Sequence, residues 1–109
     1  MSEELKLRKL FVSQPMRGKT DEEIRTARAV AVRYAQEEME EPFEVIPSYT
    51  VGRNFEGKGM AIQYLAESLR LLADADVAVF AKGWEEARGC RIEMMVCRYY
   101  GLDTIEMKD

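Results

Sequence analysis

Two polar segments of this chain combine residue types that hold anions and attack carbon centres. The first reads SQPMRGKT over residues 13–20, and the second reads GWEEARGCRIE over residues 83–93. In the first, Ser13, Arg17 and the free N–H groups of a following helix can together stabilise a phosphate or a carboxylate. A polar turn that carries a solvated arginine explains the same residues equally well.

Glu93 has the most specific chemical use in the second segment. Gly89 lets the backbone approach a ligand closely at a helix start, and Glu93 follows about one turn later. A carboxylate there can attack, or electrostatically stabilise, an electron-poor sugar carbon. The alternative is a surface acid paired with Arg91 or Arg98, or an acid at a subunit contact. Trp84 can stack on a flat ring or cover the core.

The first segment also approaches the phosphate-loop pattern GxxxxGK[ST], with Ser13 at the first glycine position. We reject a triphosphatase loop because Pro15 lacks a backbone N–H, and because Asp76 begins a strand instead of ending one. The chain has no histidine, which excludes Ser-His-Asp and Cys-His catalysis and histidine-ligated metals. A carboxylate that stabilises or traps an electron-poor sugar carbon needs no metal and no organic cofactor, and we expect neither.

Length and composition limit the remaining choices. The chain has 109 residues and a net charge of −4, which predicts one domain over 1–109 and argues against non-specific nucleic-acid binding. No apolar run approaches the ~20 residues that span a bilayer, so we expect no membrane partner. The first ten residues do not form a secretory signal, and we predict a cytoplasmic protein. Cys90 and Cys97 are too far apart on one helix to pair, and we expect two reduced thiols.

Hydrophobic periodicity predicts alternating strands and helices. Apolar runs predict strands near residues 7–13, 43–46, 76–80 and 104–106, and residues 47–59 predict a loop. Thr20 and Glu23 have the spacing of a capping box that starts the first helix. On the second helix the expected apolar stripe is Ile62, Leu65, Ala66, Leu69, Leu72 and Ala73. On the third helix, near residues 88–100, the expected core face is Ile92, Met95, Val96 and Tyr99, and a separate stripe holds Cys90, Glu93, Cys97 and Tyr100.

This order predicts an α/β fold with a parallel sheet between helices on both faces. Ligands of such sheets bind beyond the carboxyl ends of the strands, where the strand order reverses. The segments at 13–20 and 81–93 both follow strands. We therefore expect Arg17 and Glu93 to face a common hollow.

The two segments, together with residues 9–12 and 75–80, resemble the nucleoside 2-deoxyribosyltransferase-like superfamily. The chain is most similar to small phage and bacterial proteins grouped as a domain of unknown function, the DUF4406 family. The likeness covers nearly the whole chain. It implies a flavodoxin-like (Rossmann-like) three-layer sandwich with a four- to five-stranded parallel sheet, and a homodimer or higher homo-oligomer with sites at subunit contacts.

The superfamily's enzymes cleave or exchange the N-glycosidic bond of deoxynucleosides or their 5′-monophosphates, so the resemblance implies a small-molecule nucleoside or nucleotide substrate. By position, Glu93 matches the glutamate that takes the sugar. Ser13, Arg17 and Gly18 resemble the Ser and Arg-Gly of the monophosphate hydrolases' first loop. The candidate substrate-binding residues are Ser13, Met16, Arg17, Gly18, Trp84, Arg88 and Gly89. The chain departs from these enzymes in three ways: two extra residues separate Ser13 from Arg17, and the serine ahead of the glycine-rich turn is replaced at Ala87-Arg88. The third counts most: Ser68 stands where the enzymes carry an aspartate that handles the proton on the base, and the neighbouring Glu67 points about 100° away. A nucleotide-binding module without turnover, or a dimeric interaction protein that uses the third helix, are the alternatives.

Overall fold

The computed structural model describes residues 6–49 and 58–108. The chain order of its elements is β1 (Arg8–Ser13), α1 (Asp21–Met39), β2 (Phe43–Val45), α2 (Lys58–Leu72), β3 (Val77–Phe80), a 3₁₀ turn (Trp84–Glu86), α3 (Arg88–Tyr100) and β4 (Asp103–Glu106). The alternation of strands and helices predicted from the sequence is confirmed. Most of the predicted loop at 47–59 lies outside the described residues.

The four strands form one all-parallel sheet in the order β2-β1-β3-β4. Strands β1 and β3 are central, and their apolar residues are almost fully buried. Continuous apolar runs of this kind are typical of strands covered on both faces. Strand β1 lies between β2 on one side and β3 on the other, so the strand order reverses at β1. This is the strand order of flavodoxin-like folds, and the predicted fold class is confirmed.

Alternate residues of the central strands point to two separate cores. Leu10 and Val12 of β1 pack with Ala31 and Ala35 of α1 on one face of the sheet. Phe11 lies on the opposite face with Ala78 and Phe80 of β3. Side chains of α2 and α3 cover this face: Leu72, Cys90, Met94 and Cys97. The molecule therefore has three layers, with α1 on one side of the sheet and α2 and α3 side by side on the other.

Local signals determine where the helices begin and end. The Thr20 hydroxyl accepts a hydrogen bond from the Glu23 N–H, and the Glu23 carboxylate accepts one from the Thr20 N–H, so the predicted capping box is confirmed. Helix α3 ends at Gly101, whose positive φ of 77° suits a residue without a side chain.

The predicted core face of α3 is correct only at Val96, which is partly buried and packs against the core. The buried residues are Cys90, Glu93, Met94 and Cys97, whereas Ile92, Met95 and Tyr99 are exposed. The two stripes predicted for α3 each have the spacing of one helical face, so periodicity alone does not show which of them is buried. The slender thiols and Met94 fit the narrow space above Phe11 and Phe80, and this packing sets the rotation of the helix.

The predicted stripe of α2 is also only partly correct. Leu72 is buried and Leu69 packs against the core, but Ile62 is 65% exposed, and Ala66 and Ala73 are exposed as well. Only the last turns of α2 reach the sheet core. The earlier turns extend past the ends of the central strands, where they form one wall of a cleft.

Candidate functional site

A cleft of about 890 Å³ opens at the carboxyl ends of β1 and β3. Its floor is the end of β1 with the segment that follows, and its two walls are the first halves of α2 and α3. This is the point where the strand order reverses, the usual ligand position in an open parallel sheet. Arg17 and Glu93 both line the cleft, as expected from the sequence.

Glu93 is a buried carboxylate held by a side chain of β1. Its exposed fraction is 6%, and that of Ser13 is 1%. The Ser13 hydroxyl donates a hydrogen bond of 2.6 Å to Oε1 of Glu93. Eighty positions of sequence separate the two residues, and the parallel sheet brings them together because Ser13 ends β1 and α3 begins beside it. A charge-assisted hydrogen bond of this length fixes the orientation of the carboxylate.

The two cysteines flank Glu93 and are not nucleophiles in this environment. Burial raises the pKa of Cys90 to about 12, the charge of Glu93 acts in the same direction, and a hydrogen bond with Ser13 opposes them. Burial and the same carboxylate raise the pKa of Cys97 to about 11. Because the thiolate is the reactive form of cysteine, both side chains stay neutral and inert near pH 7. The prediction of two unpaired, buried thiols is confirmed.

Four basic side chains lie around the cleft: Arg17, Lys19, Lys82 and Arg88. Arg17 occupies a turn closed by a hydrogen bond from the Lys19 N–H to the Met16 carbonyl, and Gly18 supplies the positive φ of 79° that the turn requires. Among the described residues, Arg17 and Arg88 have no acidic partner within ion-pair distance. The cleft therefore presents unneutralised positive charge in a chain of net charge −4.

The start of α1 is not available to an anion in the way the sequence led us to expect. The Thr20 capping box already occupies the Glu23 N–H, and Asp21, Glu22 and Glu23 put three acids in the first turn. The Ser13 hydroxyl is likewise engaged with Glu93. These acids complement the helix dipole themselves and would repel a second negative group.

Helix α3 offers an anion the better N-terminus. Its N-cap residue is Ala87, which has no side-chain cap, and its first turn contains no acid. Ala87, Arg88 and Gly89 all line the cleft, and a Cβ added at Gly89 would meet no protein atom within 4 Å. The first N–H groups of α3 and the Arg88 side chain thus adjoin open space.

Trp84 does not reach the cleft. Its ring is 7% exposed and packs edge-on against Phe80, with centroids 5.4 Å apart. The interpretation of Trp84 as a core residue is therefore the correct one. Trp84 begins the 3₁₀ turn between β3 and α3, and it belongs to the same buried cluster as Phe80 and Cys90. Its indole therefore fills the space between the end of β3 and the start of α3.

An aromatic residue that sequence reasoning missed, Tyr64, lines the cleft from α2. It shares this wall with Ala61, Leu65 and Ser68, at spacings of three and four. These spacings were visible in the sequence, but the more apolar stripe of α2 obscured them. Ser68 faces the cleft and Glu67 does not, so the absence of an acid at position 68 affects the cleft itself.

The cleft thus collects Ser13, Met16, Arg17, Arg88, Gly89 and Glu93 from the residues singled out in the sequence, and leaves out Gly18 and Trp84.

Within the part of the chain that the structure describes, no three Cys, Asp or Glu residues cluster as metal ligands. No helix among the described residues is long and apolar enough to cross a membrane. Comparisons with models of protein families, with curated proteins and with solved structures found no match.

Proposed function

We propose that this protein cleaves the N-glycosidic bond of nucleosides or nucleoside 5′-monophosphates, as a hydrolase or a deoxyribosyltransferase. The observation that carries the proposal is the buried Glu93 carboxylate, oriented by Ser13 at a cleft that also holds unpaired arginines. Burying a carboxylate costs free energy that a purely structural position avoids with an apolar residue. Such a group in a cleft is characteristic of a functional site.

Glu93 would act at C1′ of the sugar. The Ser13 hydroxyl orients the Glu93 carboxylate, one oxygen of which would approach the anomeric carbon. As the bond between C1′ and the base breaks, its electron pair moves to the base and positive charge develops on the sugar. The carboxylate stabilises this charge and forms an ester with C1′. Water then releases the sugar, or a second base replaces the first, and Glu93 is regenerated without any cofactor.

The cationic groups would bind the 5′-phosphate. Arg17 extends from the turn after β1, Arg88 lies in the first turn of α3, and the N–H groups of that turn have no side-chain cap. Arginine forks and helix N-termini are both favourable partners for phosphate oxygens. A phosphate there lies about one helical turn from Glu93, a separation that suits the distance from a 5′-phosphate to C1′.

Base release from deoxynucleoside monophosphates tests the proposal directly. Each of the four common monophosphates is incubated with the protein, and the free base is measured by chromatography. Glu93→Gln keeps the shape of the side chain and removes its charge, so we expect base release to fall roughly 1,000-fold. The matched control is Glu85→Gln, an exposed acid of the 3₁₀ turn that does not line the cleft. Release that Glu93→Gln leaves unchanged would contradict the mechanism.

The second candidate is a nucleotide-binding module that does not turn its ligand over. Ser68 favours it, because the wall of α2 presents a hydroxyl where an acid would assist departure of the base. Under this alternative, nucleotides raise the melting temperature of the protein while no free base accumulates.

The exposed face of α3 supports a homodimer or higher homo-oligomer as part of this proposal. Met95, Tyr99 and Tyr100 are 54%, 79% and 85% exposed on one short helix. Large exposed apolar side chains in a group are typical of interaction surfaces. Sedimentation velocity of the wild type and of Tyr99→Glu tests the assembly.

The unpaired thiols fit a reducing compartment, and we propose that the protein acts in the cytoplasm.

A further inference from the structure

The position of Glu93 determines the side from which the base must leave. In a displacement at C1′, the attacking carboxylate and the departing base lie on opposite sides of the carbon. Glu93 belongs to the α3 wall of the cleft, and the opposite wall is α2. The two helices meet lower down, where Leu69 and Leu72 join the core cluster that contains Met94 and Cys97. A base that leaves Glu93 therefore moves toward the first turns of α2.

The α2 wall contains no carboxylate among the described residues that line the cleft. Two of the described acids line the cleft as a whole. Glu86 belongs to the 3₁₀ turn and Glu93 to α3, so both lie on the side from which the carboxylate attacks. The α2 wall instead carries the hydroxyls of Tyr64 and Ser68, one turn apart. Tyr64 is the longer of the two side chains and is half-buried. Its phenol O–H is a hydrogen-bond donor.

We propose that Tyr64 is the hydrogen-bond donor to the leaving base, in the role that an acid at position 68 would otherwise have. This inference rests on the proposed function. When the bond from C1′ to the base breaks, its electron pair remains on the base, and the Tyr64 hydroxyl donates a hydrogen bond to the ring atom that becomes negative. The base takes up one proton from water as it departs. Glu93 forms the new bond to C1′, so charge and atoms balance.

Leaving-group chemistry tests this role. A donor matters when the base leaves as an anion and matters little when the base is already activated. The first substrate pair is dGMP and its N7-methyl derivative, whose base carries a positive charge before it leaves. The second pair is dUMP and 5-fluoro-dUMP, whose base is the more acidic. With the pair that the wild type cleaves, we expect Tyr64→Phe to lower kcat roughly 100-fold for dGMP or dUMP. For the activated partner, we expect a loss of less than about threefold.

The design separates a chemical role from a structural one. A fold defect in Tyr64→Phe would lower kcat equally for both members of a pair, and that result would overturn the inference. An unchanged kcat for the unactivated substrate would overturn it too. Tyr34→Phe removes the same hydroxyl from α1, which covers the other face of the sheet and does not line the cleft, and should leave both rates unchanged. If the wild type releases no base from any of the four substrates, the proposed function fails, and the role of Tyr64 fails with it.

Discussion

Gly89→Ala should have opposite effects on the stability of the fold and on the affinity for the ligand. Gly89 is the second residue of α3, it lines the cleft, and its φ is not in the left-handed region. An added methyl group would meet no protein atom within 4 Å. Alanine is the better helix former by up to about 1 kcal/mol in a helix interior, and we take about half of that for a first turn. The substitution should therefore stabilise the fold by about 0.5 kcal/mol, or about 2–3 °C in melting temperature for a domain of this size.

The same methyl group should weaken ligand binding. The space that it occupies adjoins the first N–H groups of α3, where the phosphate is proposed to bind. Overfilling a close-packed contact costs about 1–3 kcal/mol, which corresponds to at least about a fivefold loss of affinity. Thermal unfolding over a range of dGMP concentrations measures both effects in one titration, because a ligand that binds only the native state stabilises it by RT ln(1 + [dGMP]/Kd).

Gly59→Ala is the matched control. Gly59 is also the second residue of its helix, it is exposed, it does not line the cleft, and an added Cβ there meets nothing within 4 Å. We expect it to stabilise the fold by a similar amount and to leave affinity unchanged. If Gly89→Ala lowers the melting temperature, the space beside Gly89 is not open. If both variants bind dGMP as the wild type does, the ligand does not lie against α3.

Four further predictions concern the fold around the cleft. Thr20→Ala removes the capping box and should lower the free energy of unfolding by about 1 kcal/mol in urea titrations, without changing ligand affinity. Trp84→Phe leaves a gap beside Phe80 and should cost about 1–3 kcal/mol, again with unchanged affinity, whereas a base-stacking role would weaken binding. Folding raises the pKa of Cys90 to about 12 from 9.0, so the unfolded state loses this proton first, and stability should fall as pH rises from about 9 towards 12. At pH 8 both thiols should react with iodoacetamide only when the chain unfolds, and mass spectrometry of native and urea-treated protein checks this.

Local patterns predicted the elements of this fold well, since the physics that creates them is local. The apolar runs of β1 and β3, the capping box at Thr20 and the glycine at Gly101 each act within a few residues. The face that each helix buries depends on distant residues instead. On α3 two stripes compete, and only the space left by Phe11 and Phe80 decides between them.

The candidate site divides in the same way. Parallel strands bring their carboxyl ends to one edge, and this rule alone predicted that Arg17 and Glu93 share a hollow. Residue type and spacing could not predict that Tyr64, and not Trp84, is the aromatic residue that lines the cleft. An aromatic ring in a loop and one on a helix are equally suited to stacking, and only the packing of the 3₁₀ turn against Phe80 shows which one is buried.

The stripe that α3 buries is itself an argument for function. A helix with Ile92, Met95 and Tyr99 available could have turned these side chains inward, and it buries Glu93 with two thiols instead. A carboxylate on the core face loses hydration, and it needs polar partners such as the Ser13 hydroxyl to offset that cost. An apolar residue at position 93 would avoid this cost. The rotation that the chain adopts orients a carboxylate toward the cleft and leaves apolar side chains outside, where a partner surface can cover them.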